Sequence, residues 1–445
     1  QVGDFYELYG IEYENGEREG NIWEFGRDLG LSIVLKNTVV KGNSKNKLYF
    51  GGVQIVSLDK YLSMAVNDYG WTIVIYSQVK DDITGKLSRK FDTIISPGTN
   101  TLTTSESNNL VVIYLEDVPS LIHKNTTTLY AGVSYIDTVS GESGMIQYPF
   151  KEHMNRSIIF DELIKIITIK NPNDIIIYGD KLPYTEKELI DKLHIRYYNY
   201  KIHLNKTTKD ITRRAYQENL FSQIYKLPNN KVMTSLNIDN FYYCGIVLTI
   251  MVEYVMKRNK SLLEKIKPPR LMTNTSSNLI LANNSLEQLN IVNNIKKNYY
   301  FQKKNSLLEI LDNTKTLIGK RLFRSRLMNP ITHIGELNSR YNTIDNYNYM
   351  DTDFKNIVGR NIKDVVDIQN VLCKLRRGTF KYVDILPLYN SLSIILNLLN
   401  LISKTKLKSI IPKDLVKSKF ESITALQKLL ETTFNLDYLS NTQIY

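Results

Sequence analysis

The sequence predicts a multidomain protein: two α/β units, then an all-helical stretch. Three observations predict it. At 445 residues the chain is longer than one hydrophobic core organises. Up to about residue 240, short apolar runs alternate with helix-period segments and Gly/Pro punctuation, the pattern of α/β units. Beyond residue 241 the apolar positions recur at helical spacing with few turn signals. The expected domains are therefore 1–103, 104–240 and 241–445.

The first unit opens on Gly3-Asp4-Phe5-Tyr6-Glu7-Leu8-Tyr9, a strand-like run. Side chains two apart on a strand share a face, so Phe5 and Glu7 are expected to point together while Tyr6 and Leu8 pack behind. An apolar wedge beside one hydrogen-bonding group suits a base step being pried open. A core aromatic beside a solvated carboxylate is the plainer alternative. Next, residues 12–28 are charged and glycine-punctuated, 29–35 read as a strand, and 38–47 as a basic loop with a turn at Lys41-Gly42-Asn43. Ser57 is the expected N-cap of a helix through Tyr61, Leu62, Ala65 and Val66. Residues 71–76 read as a buried strand, and 93–99 as a strand ending in a proline-glycine turn.

In the second unit, residues 110–115 and 128–136 read as strands, with a turn at Asp137–Glu142 leading into another. Residues 161–170 read as a helix, with Asp161 a possible N-cap, and 174–179 as a short buried strand. Asp137, Glu142 and Asp161 invite a two-metal nuclease reading, which needs carboxylates converging on the ions; a turn also favours Asp at position 137.

The helical stretch begins with an apolar helix over 243–256. Ser306 and Glu309 have capping-box spacing. A helix over 316–328 carries Leu317, Ile318, Leu322 and Phe323 on an apolar face and Lys320, Arg321, Arg324 and Arg326 mostly on the wetter side, ending at Asn329-Pro330. Gly319 costs this helix about 1 kcal/mol of propensity, for which a close helix contact is the expected reason. Val365, Ile368, Leu372 and Leu375 form an amphipathic stripe. Lys374, Arg376 and Arg377 precede a C-cap at Gly378 and suit a helix C-terminus. Ile423, Leu426, Leu430 and Phe434 mark a last helix.

The opening heptamer resembles the mismatch-reading motif of the MutS family of DNA mismatch-repair proteins. The likeness continues in order through Gly52-Val53, Asp59-Lys60-Tyr61-Leu62, Ile75-Tyr76-Ser77-Gln78 and Ser96-Pro97-Gly98-Thr99. Leu311 to Thr316 with Gly319, Arg321-Leu322 and Leu327 to Pro330, and Asp367-Ile368-Gln369-Asn370 with Lys374 and Arg376, resemble the family's helical-core signatures. Gln54, where the family has proline, and the segment 12–27 depart from it. The resemblance implies a mismatch-binding domain over 1–103, a connector of RNase H-like fold over 104–240, and the start of the helical core and lever over 241–445. It places the stacking wedge on Phe5 and the base contact on Glu7. The implied partner is mismatched double-stranded DNA, with a homodimer or heterodimer and other repair proteins for the whole protein. The turn and N-cap readings of Asp137 and Asp161 make a non-catalytic connector the expectation. Relatives that lack the wedge act as junction-binding or scaffold proteins, the alternative reading.

Formal net charge is +12, but residues 1–30 hold eight acidic side chains against two basic ones, which leaves +18 on the rest. The excess favours a polyanion. Lys36, Lys41, Lys45 and Lys47, on or beside the basic loop, are the expected backbone contacts. A carboxylate near phosphates is repelled, so Glu7 fits as a specificity device. Two distant cysteines, Cys244 and Cys373, argue against a disulfide framework, and five scattered histidines offer no metal-ligand spacing. No run of eighteen apolar residues occurs, so no membrane span is expected. The opening is not a signal peptide, and an intracellular protein working on DNA is expected. The Asn-, Lys-, Ile- and Tyr-rich composition fits an AT-rich genome: a large DNA virus, an organelle or a bacterium. A Gly-x-x-x-x-Gly-Lys-Ser/Thr phosphate loop is lacking, Gly319-Lys320-Arg321 having neither the upstream glycine nor the hydroxyl residue. No cofactor or metal is expected for this chain, whose opening inside a strand pattern marks it as a piece. ATP and Mg2+ are implied for the whole protein, whose clamp and ATPase domains are not in this chain.

Overall fold

The computed structural model describes residues 1–36, 45–80, 86–100, 107–119, 127–149, 155–264, 268–272, 279, 285–292, 306–378, 380–411 and 418–442. The expected turn at Lys41–Asn43 lies outside them. A mixed α/β region is followed by an all-helical one.

The first region holds β1 (Phe5–Glu12), β2 (Arg18–Glu19), α1 (Ile22–Leu29), β3 (Val34–Lys36), β4 (Lys47–Gln54), α2 (Leu58–Ser63), β5 (Ile73–Lys80) and β6 (Leu87–Ile95). One antiparallel sheet has the order β2-β1-β4-β3, and β5-β6 forms a separate ribbon. Behind the sheet, Phe25, Leu29 and Ala65 are buried, with Leu8, Tyr61 and Trp71 packed around them. Helix α1 was not anticipated in the charged segment 12–28. It seats on β1 at Gly10, where a Cβ would lie 2.4 Å from Ile22 Cγ2. Gly30 closes it in the left-handed region, φ 65°. Ser57 sits at the N-cap of α2 without a capping bond; its hydroxyl donates instead to the Gln54 carbonyl at 3.2 Å. The strand expected to be buried over 71–76 is an open ribbon, with Val74 and Tyr76 exposed.

The second sheet contains β7 (Asn109–Pro119), β8 (Thr127–Asp137), β9 (Ser143–Tyr148), β10 (Asp174–Asp180), β11 (Tyr200–Leu204) and β12 (Arg270–Leu271) in the order β11-β10-β7-β8-β9-β12. β8 runs antiparallel to both β7 and β9, β10 runs parallel to β7 and to β11, and β12 runs parallel to β9. Both faces are covered, which is why the strands read as continuous apolar runs rather than alternating ones. Helices α3 (Arg156–Lys170) and α4 (Glu186–Lys192) lie on the face of Val111, Ile113 and Leu115. After the short α5 (Lys209–Thr212), helices α6 (Arg214–Tyr225), α7 (Asn229–Ser235) and α8 (Tyr242–Glu264) cover the face of Leu110, Val112 and Tyr114.

The turn Ser96–Thr99 joins the two regions. Asp174, at the start of β10, accepts from Gly98 N at 2.8 Å, Ser96 Oγ at 2.9 Å and Asn199 Nδ2 at 2.6 Å. A Cβ on Gly98 would stand 2.7 Å from Asp174 Cβ, so only glycine fits this approach.

The helical region comprises α9 (Ser285–Gln288), α10 (Leu307–Leu311), α11 (Leu317–Met328), α12 (Ile334–Asn348), α13 (Thr352–Lys363), α14 (Ile368–Arg377), α15 (Ile385–Ser403), α16 (Ser418–Thr433) and α17 (Leu436–Thr442). The Ser306–Glu309 capping box forms, both bonds at 3.3 Å, and Thr316 caps α11. Helix α15 packs on Val371 and Leu430 on one side and on Phe354 and Val358 on another.

Four expectations are corrected here. Arg321 is not on a wet face: it grips Asp367 with two bonds at 2.8 and 2.7 Å, and its side chain is only 14% exposed. Among the described residues Gly319 meets no second helix; the nearest atom to its would-be Cβ is Thr316 Oγ1 of its own cap, at 3.0 Å. On α14 the buried positions are Val371 and Cys373, while Leu372 and Leu375 of the expected stripe are 47% and 46% exposed. The helix Tyr382–Ser403 is long and apolar enough to cross a membrane by length and composition, with mean hydropathy 1.6, and its Leu388, Leu392 and Leu398 pack into the helical cores.

Candidate nucleic-acid interface

Strand β1 separates its two faces as its alternation predicts. Leu8 joins the core, and Tyr6 reaches the ribbon through its hydroxyl, 3.1 Å from Ser77 Oγ. Phe5 stands 42% exposed and Tyr9 41% exposed on the other face, with Glu7 between them. Leaving Phe5 this open forgoes on the order of 1 kcal/mol of burial, a cost that packing does not explain. Across the antiparallel register, Glu7 faces Gly52 and Tyr9 faces Phe50.

Glu7 is the polar centre of this face, its side chain 13% exposed. Its Oε2 accepts the Tyr9 hydroxyl and lies 3.9 Å from Lys36 Nζ. Burial, and then the bond to Glu7, push the Tyr9 phenol up to about 12. Lys36 Nζ also sits 5.2 Å from the Tyr9 ring centroid and 5.1 Å from that of Phe50. Neither Tyr9 nor Phe50 was singled out from the sequence, although continuing the two-residue period past Glu7 reaches Tyr9.

The other lysines are also tied to the acidic leading segment. Lys45 pairs with Glu14, and Lys47 lies 3.4 Å from Glu12, which also binds Arg18 at 3.3 Å. Lys41 lies outside the described residues. The acidic segment thus serves as an internal counter-charge for β3 and β4. Behind the wedge face, a cavity of about 600 Å³ separates β1 from the ribbon; Tyr6, Leu8, Phe25, Trp71 and Ile75 help to line it.

The carboxylates of the nuclease reading have structural tasks. Asp137 accepts from Asn108 N at 2.9 Å, Val139 N at 3.0 Å and Ser140 Oγ at 2.6 Å, so it builds its turn. Glu142 binds Lys170 at 3.2 Å and Tyr135 at 3.0 Å; these partners hold its carboxyl below the usual range, against the upward push of burial. Asp161 lies inside α3, which Asn155 caps instead. Among the described residues no group of three or more His, Cys, Asp or Glu is placed to hold a metal. Lys374 pairs with Asp384 at 2.6 Å, a structural use.

These features define a multidomain α/β-plus-helical protein with an open aromatic and a carboxylate side by side on one sheet face. The family description MutS domain I matches residues 1–104, and MutS domain III matches 284–444. A DNA mismatch repair protein MutS homologue of Acanthamoeba polyphaga mimivirus is 24% identical over 97% of this chain and 40% of its own length. The DNA mismatch repair protein MutS of Alkaliphilus oremlandii is 24% identical over 97% of the chain and 45% of its own length. That of Clostridium novyi is 24% identical over 96% and 41%. The chain belongs to the MutS family, and it spans less than half the length of these relatives.

Proposed function

We propose that this chain recognises mismatched or distorted duplex DNA as part of a MutS-type mismatch-repair protein. The observation that carries the reading is the exposed Phe5 beside Glu7 on one open sheet face. Phe5 enters the base stack at the mispair. Unstacking a step costs a few kcal/mol, least where pairing is already broken, so the wedge favours mismatches without reading base edges. Glu7 then bonds the displaced base. Residues 1–103 are the mismatch-binding domain; the connector, expected over 104–240, runs on to about 272, because α8 covers its sheet and β12 joins it, and the helical core and start of the lever follow. An RNase H-like connector is supported by three antiparallel strands followed by two parallel to the first. Dimerisation and an ATP- and Mg2+-dependent ATPase belong to the whole protein.

The test is binding of the chain to matched and G·T-mismatched duplexes at two salt concentrations, with Phe5→Ala alongside. The wild type is expected to prefer the mismatch, and the variant to lose that preference while keeping weak, salt-dependent binding to matched DNA. Equal binding of both duplexes by the wild type would overturn mismatch recognition in favour of a junction-binding or scaffold role.

A further inference from the structure

A carboxylate that must approach DNA gains if its conformation is fixed before binding, because ordering a long side chain then costs nothing at the moment of contact. Among the described residues, both side-chain contacts of the Glu7 carboxylate fall on one oxygen. The Tyr9 hydroxyl donates to Oε2, and Lys36 Nζ lies 3.9 Å from the same atom. Oε1 makes no hydrogen bond among the described residues, and it is not among the buried polar atoms that lack a partner. It is therefore not fully buried. Lys36 is itself located by two aromatic rings, those of Tyr9 and Phe50, so the anchor is part of the sheet face.

Resting on the mismatch reading, we propose that Tyr9 and Lys36 are positioning residues for Glu7. They hold Oε2 from within the chain and so present Oε1 to the base displaced beside Phe5. The two carboxylate oxygens have separate tasks: one anchors and one reads. Tyr9 lies on the exposed face, and its ring stays in place when only the hydroxyl is removed. Tyr9→Phe therefore tests the anchor without opening the core.

The experiment is a double-mutant cycle read as the ratio of mismatched to matched duplex affinity. Wild type, Tyr9→Phe, Glu7→Ala and the double variant are compared, with Lys36→Met and Lys36→Arg beside them. Tyr9→Phe is expected to lower the ratio about three- to tenfold, within the range of coupling between contacting residues, with matched-duplex affinity unchanged. In the Glu7→Ala background the same substitution is expected to change nothing, because there is no carboxylate left to position. Lys36→Met is expected to lower the ratio and Lys36→Arg to keep it. An equal drop on removing the hydroxyl with and without Glu7 would overturn the proposal, since Tyr9 would then act on its own. So would an unchanged ratio in Tyr9→Phe when Glu7→Ala lowers it, and in that case mismatch reading by Glu7 survives. If Glu7→Ala leaves the ratio unchanged, the base-reading role of Glu7 fails first and the proposal with it.

Discussion

Replacing Asp174 with alanine removes the carboxylate on which the turn Ser96–Thr99 is seated. Three donors lose their acceptor: Gly98 N at 2.8 Å, Ser96 Oγ at 2.9 Å and Asn199 Nδ2 at 2.6 Å. They do not suffer equally. Ser96 Oγ keeps Thr99 Oγ1 at 2.9 Å, and Asn199, only partly buried, finds water. Gly98 N is buried with no second partner among the described residues, and an orphaned buried N–H costs about 1–3 kcal/mol, with the lost bonds to an ionised acceptor adding to it. A total of about 2–4 kcal/mol is expected, concentrated at the junction. Several domains unfold separately, so a single melting curve is the wrong measure. Hydrogen exchange at the Gly98 amide is the right one, and it should quicken by about 30- to 900-fold. Asp174→Asn is expected to be much milder. Its oxygen can take the place that serves Ser96 and Gly98, while the Asn199 amide turns over to accept from the new NH2. Unchanged exchange at Gly98 in Asp174→Ala, or equal damage from both variants, would refute this account of the junction.

Two further outcomes follow from the ion pairs. Arg321→Met should destabilise the helical region by about 3 kcal/mol in urea unfolding followed by far-ultraviolet circular dichroism, because Asp367 is left buried without its cation. Arg321→Lys should restore little, since only the planar fork serves both Asp367 and Gln369. In anisotropy titrations on matched duplex, a free lysine at phosphate adds about 0.9 to the slope of log affinity against log salt. Lys45 and Lys47 already hold Glu14 and Glu12, so Lys45→Ala and Lys47→Ala should each shift that slope by less than about 0.5. Glu12→Gln, which releases Lys47 and Arg18, should steepen it; an unchanged slope would show that these cations do not reach DNA.

What the sequence made legible was governed by local chemistry. The alternation along β1 placed Phe5 and Glu7 together because one face of the strand is packed and the other open. Strands β7 to β10 were readable because both faces of the sheet are covered there, whereas β11 and β12 were not read, and the caps at Ser306 and Gly378 act within one turn of their own helices. The misses come from partners distant in sequence. Arg321 looks like a surface cation until Asp367, 46 positions on, folds back to it. The Leu372 and Leu375 stripe has helical period but faces outward, because α15 meets the Val371 side instead. Helix α1 was hidden by charge and by Gly26, whose would-be Cβ lies 2.8 Å from Ile33 Cδ1, a packing demand with no local signature. At the site, the shared face of Phe5 and Glu7 was legible. The pairing of Lys36, Lys45 and Lys47 with carboxylates of the leading segment was not, because it depends on how the strands of the first sheet come together.

The position of α8 bears on how the chain is made. It lies so close beneath β8 that a Cβ on Gly132 would come within 2.6 Å of the Tyr243 carbonyl oxygen. Yet it is synthesised after every strand of that sheet except β12. On a ribosome, β7 to β10 can pair, and α3 can cover one side, while Leu110, Val112, Tyr114, Ile136, Met145 and Ile176 on the other side still await residues 211–255. At cellular rates of elongation that delay is on the order of ten seconds. For that interval the nascent chain displays a bare apolar sheet, a surface that recruits holding chaperones. A chain cut between β11 and α8 would keep it for good.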